Sequence, residues 1–265
     1  MQQNQSTGVA IEVESVSKSY ESHIGDPIEA LRRIDLAIDP GGFVSVVGPS
    51  GCGKSTLLML IAGLLLPNSG RIRLGGDEVY APHPKVGIVF QRDLLLPWRN
   101  ILDNVLFPIE IKHWSKSAYK PQAEALLDKV GLAGFGLKYP SELSGGMRQR
   151  VAICRALIQQ PGLLLMDEPF GALDALTREQ MGFDLLDMWG DIGNTVLFIT
   201  HSIEEAVFLA DRVLVMSSRP GEMVSDLHMD LKRPRSSETR SDPKFIAYTQ
   251  EIRHIFEKQG VLAAR

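Results

Sequence analysis

The stretch FVSVVGPSGCGKST (43–56) constrains the fold more than any other part of the chain. FVSVV reads as a short buried strand that ends at Gly48. From Lys54 onward, STLLMLIAGLL has no breaker before Gly63 and reads as a helix. Between strand and helix lies the pattern G-x-x-x-x-G-K-[ST], from Gly48 to Ser55. Glycines there let the backbone curl so that its N–H groups converge on phosphate oxygens, and the helix start adds a positive dipole end. Gly48, Pro49, Ser50, Gly51, Cys52 and Gly53 are therefore expected to wrap the phosphates of a nucleotide. Lys54 is expected to bridge the β- and γ-phosphates, the Ser55 hydroxyl to bind Mg2+, and Thr56 to lie next to the α-phosphate.

Such a loop needs an acidic metal partner on a neighbouring strand. LLLMDE (163–168) supplies it: four apolar residues make a buried strand, and Asp167 emerges at its C-terminal end. Ligands of open α/β sheets bind at that end. Asp167 suits the Mg2+, and Glu168 suits a general base for the water that attacks a γ-phosphate.

The rest of the chain repeats the alternation. IEVESVSKSY (11–20) and IDLAID (34–39) read as strands, with Pro40-Gly41-Gly42 as a turn. RIRL (71–74) and VGIVF (86–90) are further strands around the turn at Gly75-Gly76. Between about 92 and 160 the signals become helical, as in the amphipathic AEALLDKVG (123–131). Strands return with TVLFIT (195–200) and RVLVM (212–216). This order implies an α/β fold with a mainly parallel sheet covered on both faces, and a helical insertion in the middle. In the tail, Asp242 fits an N-cap and Pro243 the first helical position. Phe245, Tyr248, Ile252, Ile255 and Phe256 then share one helical face that ends at Gly260. That helix is either docked on the core or a partner-binding element.

Composition narrows the functional class. The net charge of −4 argues against a dedicated nucleic-acid binder. The apolar runs, such as LLLM (163–166), fall far short of the roughly 20 residues that cross a bilayer. QQNQSTG at the start does not read as a signal peptide. The two cysteines, Cys52 and Cys154, form no framework, which points to a reducing cytoplasm. Cys52 fits as a small residue in a tight loop, and its position suggests a thiol-sensitive protein. Arg148 and Arg150 read as solvated or structural.

LSGGMRQR (143–150) resembles the signature motif of ABC transporter ATPases, and the other motifs of that family follow in order. GPSGCGKST is similar to its Walker A, Gln91 in VFQRD to its Q-loop glutamine, and LLLMDEP to its Walker B with the catalytic glutamate. GALD (171–174) is similar to its D-loop, with Gly171 where Ser is common. His201 in FITHS is similar to its switch histidine and Tyr20 to the aromatic that stacks on adenine. Bland readings stay open at this point: Tyr20 as an ordinary aromatic at a strand end, Gln91 as a solvated polar residue and His201 as a satisfied structural histidine. The resemblance implies a P-loop NTPase core at about 11–230, with a mainly parallel sheet, an antiparallel β subdomain and an inserted α-helical subdomain at about 92–160. A flexible start (1–10) and a C-terminal extension (231–265) flank it.

The resemblance also implies a head-to-tail dimer that holds ATP and Mg2+ at shared seams. Ser144, Gly145 and Gly146 of one subunit would cap a γ-phosphate held by the other, and Asp174 would act across the dimer. Gln91 would sense the Mg2+ and its water, and His201 the γ-phosphate. Finer resemblance, in LLPWRNILDNV (95–105), FGALDALTR (170–178) and SSRPGEMVSDLHMDLKRPR (217–235), points to the nitrate/sulfonate/taurine importers. The implied partners are a second ATPase subunit, an integral membrane permease and an extracytoplasmic solute-binding protein. The implied location is the cytoplasmic face of the inner membrane, with no nucleic acid involved. Aliphatic sulfonate or taurine is the first expectation for the solute, with nitrate, cyanate or a pyrimidine precursor open. Leu94–Trp98 is expected to line a partly exposed docking groove. The competing class is an ABC-type ATPase outside transport, in DNA repair or translation. Such proteins carry long heptad arms or a second cassette, and this chain has neither.

Overall fold

The computed structural model of the chain describes residues 8–21, 25–171 and 173–261. In chain order the strands are β1 (Ile11–Tyr20), β2 (Ile28–Ile38), β3 (Phe43–Val47), β4 (Ser69–Leu74), β5 (Asp77–Glu78), β6 (Val86–Val89), β7 (Leu163–Asp167), β8 (Thr195–Thr200), β9 (Arg212–Met216) and β10 (Met223–His228). The helices are α1 (Lys54–Ile61), α2 (Ile101–Val105), α3 (Phe107–Ile111), α4 (Lys116–Lys129), α5 (Gly145–Leu157), α6 (Ala175–Ile192), α7 (Ile203–Leu209) and α8 (Pro243–Lys258).

The main sheet has the order β10-β9-β3-β8-β7-β6. Its strands run parallel except β10, which pairs antiparallel with β9. β3, β7 and β8 are apolar at almost every position because both faces are covered. Phe43, Val47, Leu164, Met166, Val196 and Phe198 pack into a core shared with α5, α6, α7 and α8. Val44, Val46, Leu163, Leu165, Leu197 and Ile199 face the opposite core, shared with α1 and a second sheet of order β2-β1-β4-β5. That second sheet is antiparallel throughout. Helices α2 to α5 lie between β6 and β7 in the chain, where the helical signals appear in the sequence.

Register places the chemistry. Val47 pairs with Thr200 and Asp167 with Ile199, so β3, β8 and β7 end at one edge of the sheet. The loops that leave this edge carry the phosphate-loop motif, His201 and Glu168.

Several details depart from the sequence reading. β2 starts at Ile28 rather than 34, because Arg33 sits at φ 43 and the register against β1 shifts twice between Val16 and Ser19. The bulged register breaks the alternation that a strand reading relies on. β10 has no apolar stripe to advertise it. Residues 8–10 are not loose: Val9 is buried, its N–H donates to Gly162 O at 3.1 Å, and its carbonyl accepts from Thr195 Oγ1 at 2.8 Å. The remainder of the expected flexible start, 1–7, lies outside the described residues. In α8 the Asp242 carboxylate caps the helix by accepting from Lys244 N–H at 2.8 Å. Phe245, Ile252 and Phe256 are buried against the core, with Tyr248 and Ile255 partly so.

Candidate active site

Gly48–Gly53 link β3 to α1, and two of the glycines adopt conformations that favour glycine. Gly51 and Gly53 have φ of 77 and 108. A Cβ on Gly53 would also lie 2.6 Å from Leu31 Cδ2 and 2.8 Å from Ala30 O. The loop therefore cannot accept larger residues at Gly53 without displacing β2. Cys52 turns inward beneath it and is 1% exposed. Burial pushes its thiol up from the ordinary range, against the pull of Lys54. An accessible, reactive thiolate is thus not what this position offers, and the expectation of thiol sensitivity is corrected.

Lys54 opens α1 and is buried, with 4% of the side chain exposed. Its ammonium donates to Gly48 O at 2.9 Å and Pro49 O at 3.0 Å, and stands 3.8 Å from Glu168 Oε1. The next residue, Ser55, donates its hydroxyl to Asp167 Oδ1 at 2.9 Å. Burial raises the Asp167 carboxyl above its usual value, opposed by that hydrogen bond. Thr56 Oγ1 lies 3.2 Å from the Tyr20 hydroxyl. Tyr20, 37% exposed at the end of β1, stands at the mouth of the site.

Glu168 is the junction of the site. It sits at φ 43, a left-handed conformation that is costly for a residue with a Cβ. Its N–H donates to Ile199 O at 2.9 Å, and its carbonyl accepts from Gly171 N–H at 3.1 Å, which together fix the turn. Its Oε2 lies 3.0 Å from His201 Nδ1 and accepts a long 3.5 Å contact from Gln91 Nε2. Strands β6, β7 and β8 thus bring Gln91, Glu168 and His201 to one point. A cleft of about 400 Å³ opens beside it, walled by Tyr20, Ser50, Gly51, the run Gly53–Thr56, Gln91 and Glu168. Ile28, Ala30 and Arg219 also line it. None of these three was foreseen as a site residue: Ile28 and Ala30 sit in a strand with no motif of its own, Arg219 lies in a run read only for its likeness to the importers, and only the approach of β2 to the phosphate loop reveals them.

Ser55, Asp167 and Gln91 present oxygen donors, the chemistry a hard divalent cation such as Mg2+ takes. Among the described residues no group of three His, Cys, Asp or Glu surrounds a metal by itself. Phosphate and water oxygens would have to complete such a coordination shell.

Ser144, Gly145, Gly146 and Asp174 do not wall this cleft. Ser144 caps α5, accepting from Met147 N–H at 3.3 Å, and Gly145 and Gly146 form the first positions of that helix. Gly146 packs so closely on α6 that a Cβ would lie 3.0 Å from Thr177 Cγ2. Asp174 caps α6, accepting from Thr177 N–H at 3.1 Å, and hydrogen bonds from Thr177, the side chain's first and the backbone's second, hold its carboxyl below the usual range. Arg148 and Arg150 are structural: the former donates to Asp93 Oδ2 at 2.9 Å and Leu143 O at 2.8 Å, the latter to Val130 O at 2.7 Å. Leu94 and Trp98 are 53% and 71% exposed, while Leu95 between them is buried. No helix among the described residues is long and apolar enough to cross a membrane.

Known proteins are similar to this chain in sequence and fold. Residues 31–171 match the ABC transporter family. The taurine import ATP-binding protein TauB of Rhizobium johnstonii is 47% identical over 92% of this chain and 95% of its own length. TauB of Yersinia pestis bv. Antiqua is 46% identical over 94% of this chain and 99% of its own. Among solved structures, the dimeric bacterial ABC transporter cassette MJ0796 superposes with a TM-score of 0.74 at 33% identity, covering 83% of this chain and 98% of that one. A post-hydrolysis dimer of the same cassette, bound to ADP and Pi, gives 0.72 at 31% identity over the same shares. With its phosphate-loop motif, Glu168 and His201 gathered at one sheet edge, the chain belongs to the ABC transporter family and is an ATP-hydrolysing, ATP-binding subunit.

Proposed function

We propose that the chain energises a taurine or related sulfonate importer by closing and opening as a dimer around ATP. The observation that carries this reading is the division of the site: Lys54, Ser55 and Glu168 line one cleft, with His201 against Glu168, while Ser144–Gly146 form a helix start that does not line it. A γ-phosphate on one copy and the α5 start of a second copy are complementary in charge. ATP joins the copies, and ADP lacks the group to be capped.

Within the cleft, Gly48–Gly53 supply backbone donors to the phosphates, and Lys54 exchanges its loop carbonyls for phosphate oxygens. Tyr20 offers a ring face to adenine. Glu168 takes the proton from the attacking water as the bond to ADP breaks. His201 holds the Glu168 carboxylate in place and reads the γ-phosphate. Gln91 touches the same carboxylate and connects the site to the exposed Leu94–Trp98 segment. Ser55, Asp167 and Gln91 would hold Mg2+, which when bound neutralises charge on the β- and γ-phosphates. Asp174, at the start of α6, acts across the dimer seam.

The partners are a second copy, a separate membrane permease that receives the Leu94–Trp98 face, and a solute-binding protein outside the membrane. The chain works peripherally, on the cytoplasmic side. The taurine assignment derives from the TauB relatives, whose names carry that solute. Co-purification of the tagged chain from native membranes tests it. A permease and a taurine- or sulfonate-binding receptor are expected, and a receptor for an unrelated solute overturns the assignment.

A further inference from the structure

Helices α6 and α7 both begin at functional turns: α6 after Asp174, and α7 after His201 and Ser202. One pair of side chains ties the two turns together. Arg178 Nη2 donates to the carbonyl of Leu173, directly before Asp174, at 2.9 Å. Its Nε lies 3.4 Å from Glu205 Oε1, an ion pair whose N–H is not aligned for a hydrogen bond. The other oxygen of Glu205 accepts from Thr200 Oγ1 at 2.6 Å. That hydroxyl in turn accepts from Ser202 N–H at 3.0 Å, and Ser202 Oγ accepts from Glu205 N–H at 3.3 Å. Thr200 and Ser202 flank His201. The chain of contacts therefore runs from the backbone beside Asp174 to the backbone around His201 through two charged residues.

The placement is costly for a mere packing pair. Glu205 is largely buried, with 13% of its side chain exposed, and Arg178 has 34% exposed. A partly buried ion pair of imperfect geometry returns little net stability. What the pair does supply is direction: its remaining hydrogen bonds end on the two turns.

We infer that Arg178 and Glu205 are positioning residues for hydrolysis, holding the Leu173–Asp174 turn and the Thr200–Ser202 turn in fixed register so that phosphate sensing at His201 and presentation of Asp174 change together. The inference rests on the roles proposed above for His201 and Asp174. Neither side chain touches the phosphate loop, so nucleotide affinity is not their business.

The test uses the full chain and four variants: Arg178→Gln, Glu205→Gln, the double variant and Arg178→Lys. Each neutral single variant is expected to lower kcat about tenfold, with KM for ATP changed by less than about twofold. The double variant is expected to lose no more than the worse single one, since the two act as a unit. Arg178→Lys keeps the charge but gives up the Nη2 hydrogen bond to the Leu173 carbonyl, and is expected to fall between. Glu205→Gln retains the Thr200 hydrogen bond and the side-chain volume, and it carries the test where Arg178→Gln does not fold. Wild-type kcat in a folded neutral variant, losses that multiply in the double variant, or a loss confined to KM overturns the inference. Glu168→Gln, assayed alongside, separates the two levels. If it turns over normally, the reading of the site fails; if it is inactive while the neutral variants match wild type, only the positioning inference fails.

Discussion

His201 Nδ1 lies 3.0 Å from Glu168 Oε2, so the residue that follows β8 orients the carboxylate of the residue that follows β7. The φ of 43 at Glu168 sets the direction in which its side chain leaves the backbone, and His201, Gln91 and Lys54 then meet the carboxylate. Glu168→Gln is expected to keep ATP binding and lose turnover at least about a hundredfold, the low end for a positioned base. It should also trap an ATP-bound dimer. Normal steady-state turnover in this variant removes Glu168 from the role of base.

Lys54 fills the inside of the phosphate loop with an ammonium that already donates to two carbonyls. Lys54→Ala is expected to weaken ATP binding on the order of 10- to 100-fold, the size of one lost charge-assisted contact. A calorimetric titration checks this, and an unchanged Kd takes Lys54 out of the site.

Asp167 predicts a trade between stability and function. Burial raises its carboxyl, so the folded protein holds that proton more tightly than the unfolded chain. The stability contributed by this group is present at low pH and is lost as pH rises through the raised value. At neutral pH, without nucleotide, the charge is a net cost. Asp167→Asn keeps the acceptor for Ser55 and is expected to raise Tm by on the order of 2 °C while abolishing turnover. A fall in Tm in the nucleotide-free protein contradicts this.

Both cysteines are buried, and burial pushes the Cys154 thiol up to about 12. Maleimide labelling of the native protein is expected to be slow at both, and to reach both cysteines after denaturation. Rapid native labelling at Cys52 contradicts the inward packing of the loop.

Helix α8 is anchored by residues that the sequence already aligned on one face. Ile252 is 0% exposed within the core cluster, so Ile252→Ala is expected to cost roughly 2–4 kcal/mol in denaturant unfolding. A loss below about 1 kcal/mol means the helix is not part of the cooperative core.

Much of the site was legible because its chemistry is local in sequence. GPSGCGKST, LLLMDE and the signature each carry a loop and its flanking element together, so residue type and spacing suffice. What remained hidden depends on distant approach. Arg219 and Ile28 reach the cleft only through the contact between β2 and the loop after β9. β10 and the start of β2 lack a clean alternation, the one through an even polar mix and the other through the irregular register around Arg33. Inward packing of Cys52 cannot be read from a motif that treats its position as open.

The division of one hydrolytic site between two copies is tested most directly by specific ATPase activity as a function of protein concentration. Shared seams predict that activity per molecule falls as the protein is diluted, approaching proportionality to concentration at the lowest values. Constant specific activity down to concentrations where the protein sediments as a monomer contradicts it.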